Sequence, residues 1–177
     1  MLERELRARL KEFITGDVLC DEPLSRHTSL GVGGKADVIV FPESGKELSR
    51  TLQFLSEEGL PFVPVGNGTN LIVRDGGYRG VVVCLKRLQK LCMEEEHGRV
   101  YVHAEAGVPL AELVSLSLRE RLTGMEFCAG VPGSVGGAIR MNDGAYGREI
   151  KDVAEKVIAN LKLEKPEEEL IIQRPTA

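Results

Sequence analysis

Glycine is concentrated in one part of this chain, and that limits how the chain can fold there. The stretch AGVPGSVGGAIRMNDGAYG, residues 129–147, holds six of the twenty glycines in 177 residues. A glycine in regular structure costs about 0.5–1 kcal/mol relative to alanine, so such a run is unfavourable unless the backbone itself is needed. Because glycine has no Cβ, its backbone N–H can lie close to a ligand. We therefore expect this stretch to bring backbone atoms close to a bound molecule.

Two shorter glycine-rich sequences occur upstream, GVGG at residues 31–34 and GNG at 66–68. Tight turns alone would account for GVGG. Around GNG, however, Asn67, Thr69 and Asn70 add short uncharged side chains that can hydrogen-bond to backbone or phosphate. Successive backbone N–H groups can also form an anion-binding concavity. A ligand that carries phosphate is therefore the natural candidate for this second sequence.

Two common phosphate-binding motifs do not explain these glycines. The P-loop pattern GxxxxGK[ST] does not occur in the chain. GVGGKA, residues 31–36, matches GxGxx[GA], but a dinucleotide fingerprint must lie between a strand and a helix. Here ADVIVF, residues 36–41, follows and predicts a strand. We therefore interpret this match as accidental.

Apolar periodicity and capping residues predict a mixture of helices and strands. Ser44 followed by Glu47, for example, is a capping-box pattern that opens a helix. The predicted helices are 2–14, 44–59, 109–122 and a short one from Pro166. The predicted strands are 36–41, 61–65, a short strand after residue 70, 81–85 and 99–107.

Composition and charge narrow the classes of partner. The formal net charge of −4 argues against nucleic acid or an anionic membrane as a partner. No run approaches the roughly 20 apolar residues that a membrane span needs, and the charged N-terminus is not a secretory signal. The cysteines Cys20, Cys84, Cys92 and Cys128 show no metal-ligand spacing and lie among apolar neighbours. We expect buried thiols, no bound metal and a reducing cytoplasm.

Four blocks of sequence resemble one enzyme family in their order and spacing. They are PLSRHTSLGVGGKAD, VPVGNGTNLIVRDGGYRGVVV, HAEAGVPLAELV and GMEFCAGVPGSVGGAIRMNDGAYGREIKDV. Together they resemble the FAD-binding part of UDP-N-acetylenolpyruvoylglucosamine reductase (UDP-N-acetylmuramate dehydrogenase), a flavoenzyme family of peptidoglycan synthesis. The resemblance covers residues 20–153, and four ordered blocks are more specific than any one glycine pattern.

The resemblance implies an α+β fold, the two-lobed FAD-binding domain of the vanillyl-alcohol oxidase (PCMH) type. This domain has a small α/β lobe and a second, mainly antiparallel lobe with helices, and FAD lies between the lobes. We expect an N-terminal helix and lead-in at residues 1–21 and a FAD-binding domain at 22–160. Its lobes would span residues 22–86 and 87–160, and residues 161–177 would form a short atypical tail.

The resemblance also implies which residues contact FAD. In the family, the loop matching residues 66–70 wraps the pyrophosphate, and the block matching 130–138 lines the flavin through backbone amides and the Ser134 position. Asn142 and Tyr146 match positions at the edge of the flavin and substrate pocket. The expected cofactor-binding residues are Val65, Gly66, Asn67, Gly68, Thr69, Asn70, Leu71, Gly130, Val131, Pro132, Gly133, Ser134, Gly136, Gly137, Ala138, Asn142 and Tyr146.

The family's reaction needs more than FAD. NADPH reduces the flavin, flavin N5 gives hydride to the enolpyruvyl group of a UDP-sugar, and an acid protonates the neighbouring carbon. The family's catalytic arginine lies in a YR-S segment after the GAYG block, and its serine and glutamate lie in a third, substrate-binding domain. Neither occurs after Val153 here. We therefore expect a FAD-binding portion that is not competent alone, and we assign no catalytic residue.

Two alternatives stay open: a degenerate, non-catalytic flavin-binding or partner protein, and an unrelated phosphate-ligand binder. Asp143 stands where the family usually has a small apolar residue, and a carboxylate near a pyrophosphate is unfavourable unless it points to solvent. His27 is expected to be structural or near the cofactor rather than an acid–base group. Apolar surface that a third domain would cover favours self-association.

Overall fold

The structure, a computed structural model, describes residues 2–157 and the side chains of residues 5–157. Its internal contacts divide the chain into two units, Met1–Leu88 and Gln89–Ala177. Each unit has its own buried apolar core, so each is described by itself. The helix predicted from Pro166 lies outside the described residues.

A four-stranded mixed sheet forms the first unit, in the order β1-β2-β4-β3. Strand β1 is antiparallel to β2, whereas β2 and β3 both run parallel to β4. The carboxyl ends of β2, β3 and β4 therefore share one edge of the sheet. The strands are β1 (Val18–Pro23), β2 (Lys35–Val40), β3 (Phe62–Val65) and β4 (Tyr78–Cys84).

Two amphipathic helices of the first unit bury their apolar side chains in one core with the sheet. They are α1 (Leu2–Lys11) and α2 (Gly45–Glu57). The predicted start of α2 is confirmed, because the Ser44 hydroxyl accepts a hydrogen bond from the Glu47 N–H at 3.2 Å. Leu10 and Leu55 are fully buried in this core with Val38 and Val81.

Loops, rather than helices, complete a second core on this sheet. Leu24 is buried there with Ile39 and Val82, and Val73 packs against the same cluster. The loops lie very close together: a Cβ on Gly77 would stand 1.8 Å from the Lys35 carbonyl oxygen. The short strand predicted after residue 70 is wrong, because residues 71–74 form no strand and belong to the loop between β3 and β4.

The described part of the second unit combines two α-helices and two 3₁₀ turns, the second of them at Ile150–Asp152, with two antiparallel hairpins, and the predicted α+β class is confirmed. Its helices are α3 (Leu110–Arg119) and α4 (Val135–Met141), with a 3₁₀ turn at Glu126–Cys128. Its strands are β5 (Leu91–Glu96), β6 (Arg99–Ala104), β7 (Gly144–Ala145) and β8 (Arg148–Glu149), which pair as β5–β6 and β7–β8. Val102, Leu110, Phe127 and Val135 contribute to its buried core.

The sequence patterns missed β1, β5, β7, β8 and α4, and the expectation that all four thiols are buried was wrong, because Cys20 is only partly buried and Cys92 is exposed. Cys84 and Cys128 are buried as expected, whereas Cys92 is exposed on β5. Among the described residues, β6 is the one strand that pairs with β5. The side chain of Cys92 therefore faces solvent despite its apolar neighbours in sequence. Among residues 2–157, no helix has the length and apolar character required to cross a membrane.

Candidate functional site

The loop at residues 66–71, which we call the 66–71 loop, begins where β3 ends. Val65 is buried as the last residue of β3 and pairs with Cys84 of β4. The loop therefore leaves the sheet at the edge shared by the carboxyl ends of the parallel strands, where ligands commonly bind in open α/β sheets. Thr69 and Asn70 are exposed, and Gly66 and Asn67 are partly buried.

Gly68 fixes the path of the 66–71 loop. Its φ of +67° lies in the left-handed region that favours glycine, and a Cβ there would stand 2.2 Å from the carbonyl oxygen of His27. The Ser29 N–H donates a hydrogen bond of 3.0 Å to the Gly68 carbonyl oxygen. The loop is therefore held against residues 27–29, which come from a different part of the first unit.

The donors of the 66–71 loop suit an anion. They are backbone N–H groups together with the amides of Asn67 and Asn70 and the hydroxyl of Thr69, and the loop carries no carboxylate. Gly68 brings the backbone into a tight turn in which no side chain could fit. Neutral donors of this kind could hold a phosphate group, and the loop's role in binding one stays a prediction.

The stretch at residues 129–147, which we call the 129–147 segment, is not one continuous loop. It starts as a turn at Gly130, passes into α4 after Ser134, and reverses through the β7–β8 hairpin. Asn142 ends α4 in the left-handed conformation. Six glycines thus serve a turn, a short helix and a hairpin within one segment.

Two glycines of the 129–147 segment are required by contacts inside the second unit. A Cβ on Gly136 would stand 2.6 Å from the Cβ of Ala106, and one on Gly144 would stand 2.3 Å from the Arg148 carbonyl oxygen. Gly130 and Gly147 have φ values of +85° and +80° with nothing within 4 Å of an added Cβ. Gly133 also has a positive φ, of +147°. Gly137 alone has neither reason, because its added Cβ would meet only the Ser134 Oγ, at 3.4 Å.

Ser134 and its neighbours tie the 129–147 segment to the loop before α3. Ser134 is 2% exposed, and its Oγ accepts a hydrogen bond from the Gly137 N–H at 3.3 Å. The Leu110 N–H donates to the Gly133 carbonyl, and the Gly136 N–H donates to the Ala106 carbonyl. The Ser134 hydroxyl therefore caps α4, while Val131 and Gly133 are partly buried and Pro132 is exposed.

Asn142 and Tyr146 differ sharply in their surroundings. The Asn142 Nδ2 donates to Glu149 Oε2 at 2.9 Å, and its Oδ1 accepts from the Lys151 N–H at 3.1 Å. Tyr146 has a φ of +55° and is 89% exposed. Asn142 also borders an open cavity of about 580 Å³ beside the β7–β8 hairpin. Asn142 is thus fixed by the protein, whereas the Tyr146 ring faces solvent.

Ionisable groups around α4 have shifted pKa values. Burial raises the pKa of Asp143, which follows the left-handed Asn142. Burial, and secondarily the charge of Asp143, raises the pKa of the Cys128 thiol to about 11. Hydrogen bonds from Lys151 and Asn142 lower the pKa of Glu149. In the part of the chain that the structure describes, no three His, Cys, Asp or Glu side chains form a group that could hold a metal ion.

The predicted cofactor residues thus fall into one set in each unit, the 65–71 set and the 130–146 set. The contacts of Glu22, a strand residue with no recognised motif around it, were not predicted. The Glu22 Oε1 lies 3.0 Å from the Nε2 of His27, the residue whose carbonyl borders Gly68. His27 alone carried a signal in the sequence, as part of the RHTSLGVGG block.

A family model described as "FAD binding domain" matches residues 36–172. The UDP-N-acetylenolpyruvoylglucosamine reductase of Syntrophus aciditrophicus is 58% identical over 149 residues, which are 84% of this chain and 48% of the relative. The enzyme of the same name from Geobacillus kaustophilus is 47% identical over 80% of this chain and 45% of its own length. The chain spans about half the length of the curated relatives it matches.

Solved structures show the same fold. The crystal structure of UDP-N-acetylenolpyruvylglucosamine reductase from Thermus caldophilus is similar with a TM-score of 0.64 and 27% identity, over 92% of this chain and 61% of that one. Alkyldihydroxyacetonephosphate synthase is similar with a TM-score of 0.68 and 18% identity, over 97% of this chain and 40% of that one. Cholesterol oxidase from B. sterolicum has a TM-score of 0.64 at 15% identity, over 90% and 37% of the two chains. The fold class predicted from the sequence is confirmed.

Proposed function

Because the chain belongs to the FAD binding domain family, we propose that it is the cofactor-holding portion of a UDP-N-acetylenolpyruvoylglucosamine reductase. The observation that carries this proposal is the 66–71 loop, in which a left-handed Gly68 is packed against the His27 carbonyl at the end of β3. The 58% identity to the Syntrophus aciditrophicus reductase supports the choice of family member.

In this proposal the 66–71 loop holds the diphosphate of FAD. Backbone N–H groups and the side chains of Asn67, Thr69 and Asn70 donate hydrogen bonds to the phosphate oxygens, and Val65 and Leu71 flank them. The absence of a carboxylate in the loop avoids repulsion of the two phosphate charges. The loop's attachment to residues 27–29 orders these donors before FAD binds, which lowers the entropy lost on binding.

The second set of residues is proposed to contact the flavin. FAD supplies the group that accepts and donates hydride. Residues 130–138 would bring backbone atoms to it, with Gly137 as the position where a missing Cβ has no other explanation in the second unit. Asn142, held by Glu149 and Lys151, would present a fixed amide, and Tyr146 an exposed ring.

For the whole reaction we propose NADPH as the hydride donor and a UDP-sugar enolpyruvyl ether as the substrate, in peptidoglycan synthesis in the cytoplasm. The chain spans about half of its relatives' length. We propose that the groups that protonate the substrate belong to the part of the relatives that this chain does not match. Four cysteines without disulfides agree with a cytoplasmic location, and self-association of the chain is part of the proposal.

The visible spectrum of the purified chain tests FAD binding. We expect flavin absorption bands and one FAD released per chain on denaturation. A colourless chain that takes up no added FAD would overturn the proposal. In a second assay, oxidation of NADPH that depends on UDP-N-acetylglucosamine enolpyruvate is expected to be absent for this chain alone. Turnover in that assay would show that the chain itself holds the groups we place elsewhere.

A further inference from the structure

Glu22 and His27 form a polar pair that is almost enclosed by the first unit. The Glu22 Oε1 lies 3.0 Å from the His27 Nε2, and the two side chains are 13% and 16% exposed. An ionised carboxylate can only accept, so the ring nitrogen donates this hydrogen bond. Glu22 lies on β1, where it pairs with Ala36 of β2, so its backbone is fixed by the sheet. The pair therefore anchors His27 to the sheet.

The surroundings of the pair restrict His27 further. The centroid of its ring is 5.5 Å from that of Phe41. The backbone N–H of His27 donates a hydrogen bond to the Leu24 carbonyl oxygen at 2.8 Å. The Arg26 Nη1 lies 3.5 Å from the Glu22 Oε2, on a side chain that is largely exposed. Arg87, which pairs with Asp17 and Glu43, lies over the Phe41 ring. Packing and hydrogen bonds thus hold the ring in one place.

What the pair positions is the backbone beside Gly68. The His27 carbonyl oxygen would lie 2.2 Å from a Cβ on Gly68, and the Ser29 N–H donates to the Gly68 carbonyl. Residues 27–29 are therefore the surface on which the 66–71 loop rests. A displacement of His27 would move that surface, and the loop with it.

We propose that Glu22 and His27 are positioning residues that hold the 66–71 loop in its ligand-binding arrangement through the backbone of residues 27–29. The inference rests on the proposed function, because it assigns the pair to the loop that is proposed to hold the FAD diphosphate. Neither side chain needs to touch FAD for this role. The pair acts through the Gly68 backbone and determines what fraction of molecules has the loop ready to bind.

The test is the dissociation constant for FAD of the apoprotein, measured by titration with FAD. Without the pair, we expect the competent loop arrangement to fall to about a tenth of the molecules, which raises the apparent Kd about tenfold. His27→Phe keeps a ring against Phe41 but removes both ring nitrogens, and His27→Ala removes the ring as well. His27→Gln retains an N–H donor within reach of Glu22 and is expected to bind within about threefold of the parent.

A double-mutant cycle separates positioning from general damage. Glu22→Ala should weaken FAD binding about as much as His27→Phe does, and the combined variant should be no weaker than either, because both single changes remove the same pair. His97→Asn is the matched control: this histidine is exposed in the β5–β6 turn at a φ of +51°, which asparagine tolerates, and its replacement should leave the Kd unchanged.

The outcomes distinguish this inference from the proposed function. If the parent chain binds no FAD, the proposed function fails. If the parent binds FAD and folded His27→Phe and His27→Ala bind it equally well, the positioning role is wrong. Additive losses in the cycle, or a His27→Gln variant as weak as His27→Phe, would also overturn it. His27→Phe decides the matter where His27→Ala gives too little folded protein.

Discussion

The 66–71 loop and the 129–147 segment are both rich in glycine, but their glycines have different reasons to be there. In the 66–71 loop, Gly68 combines a left-handed φ with a very close approach to the His27 carbonyl. In the 129–147 segment, Gly136 and Gly144 fill tight contacts within the second unit itself. A count of glycines therefore does not distinguish backbone that faces a ligand from backbone that packs against protein.

The two regions also differ in charge. The 66–71 loop offers only neutral donors. The 129–147 segment contains Arg140 and Asp143, and Arg148 follows it as the first residue of β8. The pKa of Asp143 is raised because its carboxyl is partly buried. If both regions contact FAD, the first is suited to phosphates and the second to a flat ring, and substitutions should separate these two functions.

The largest effect is expected for Gly68→Ala. The added Cβ would collide with the His27 carbonyl and force alanine into a left-handed φ, so the free energy of unfolding should fall by about 3 kcal/mol. FAD affinity should be lost as well, because the 66–71 loop can no longer keep its contact with residues 27–29. Urea unfolding and FAD titration measure the two effects.

Gly45→Ala is the control for Gly68→Ala in the same unit. Gly45 is the first residue of α2, and an added Cβ there meets nothing within 4 Å. We expect unchanged or slightly increased stability and unchanged FAD affinity. A Gly68→Ala variant that behaved like Gly45→Ala would mean that the 66–71 loop is not built as described.

A smaller, purely structural loss is expected for Gly136→Ala. The new methyl would press on Ala106 and strain the hydrogen bond from the Gly136 N–H to the Ala106 carbonyl. Overpacking of this kind should cost about 1–2 kcal/mol of unfolding free energy, after the gain in helix propensity is taken into account. Urea unfolding of the apoprotein checks this, and a neutral or stabilising result would contradict the packing explanation for this glycine.

Much of the fold was predictable from the sequence because its signals are local. The Ser44 cap of α2 and the apolar run of β4 could be recognised without knowledge of their partners. Strand β1 was missed because its residues gain their strand geometry from pairing with β2, from Val18↔Val40 to Pro23↔Lys35. Long-range pairing of this kind leaves little trace in one segment of sequence.

The candidate site was predictable to a different degree. The GNG sequence identified the 66–71 loop because its residue types carry the chemistry. Helix α4 was missed because two of its seven residues are glycine, which disfavours a helix, and the contact that requires Gly136 lies thirty residues away at Ala106. The Glu22–His27 pair could not be predicted because neither residue indicates its partner.

Gly137→Ala should separate the stability of the second unit from FAD affinity, because the two effects have opposite signs. In the apoprotein the change removes a helical glycine and meets only the Ser134 Oγ, so stability should rise by about 0.5–1 kcal/mol. FAD affinity should fall, because the methyl occupies the space proposed for the flavin. Thermal unfolding and FAD titration measure the two effects, and unchanged affinity would remove Gly137 from the proposed site.

The smallest effect is expected for Asp143→Asn, and it depends on pH. Burial raises the pKa of Asp143 in the folded chain above its unfolded value of about 3.9, so the ionised carboxylate destabilises the folded state. The asparagine variant should therefore have a higher Tm than the parent at neutral pH. That advantage should shrink as the pH falls through the folded-state pKa, because the parent becomes protonated and loses its penalty.

Thermal unfolding between pH 4 and pH 8, compared with Glu95→Gln as an exposed-carboxylate control, checks this pH dependence of Asp143→Asn. A second readout comes from Cys128, whose pKa the Asp143 charge helps to raise to about 11. Loss of that charge should lower the thiol's pKa, so that the ultraviolet absorbance of the thiolate appears at a lower pH. A constant Tm difference across the pH range would show that the Asp143 carboxyl is as well solvated in the folded chain as in the unfolded one. The 129–147 segment would then be no less suited than the 66–71 loop to lie near a phosphate.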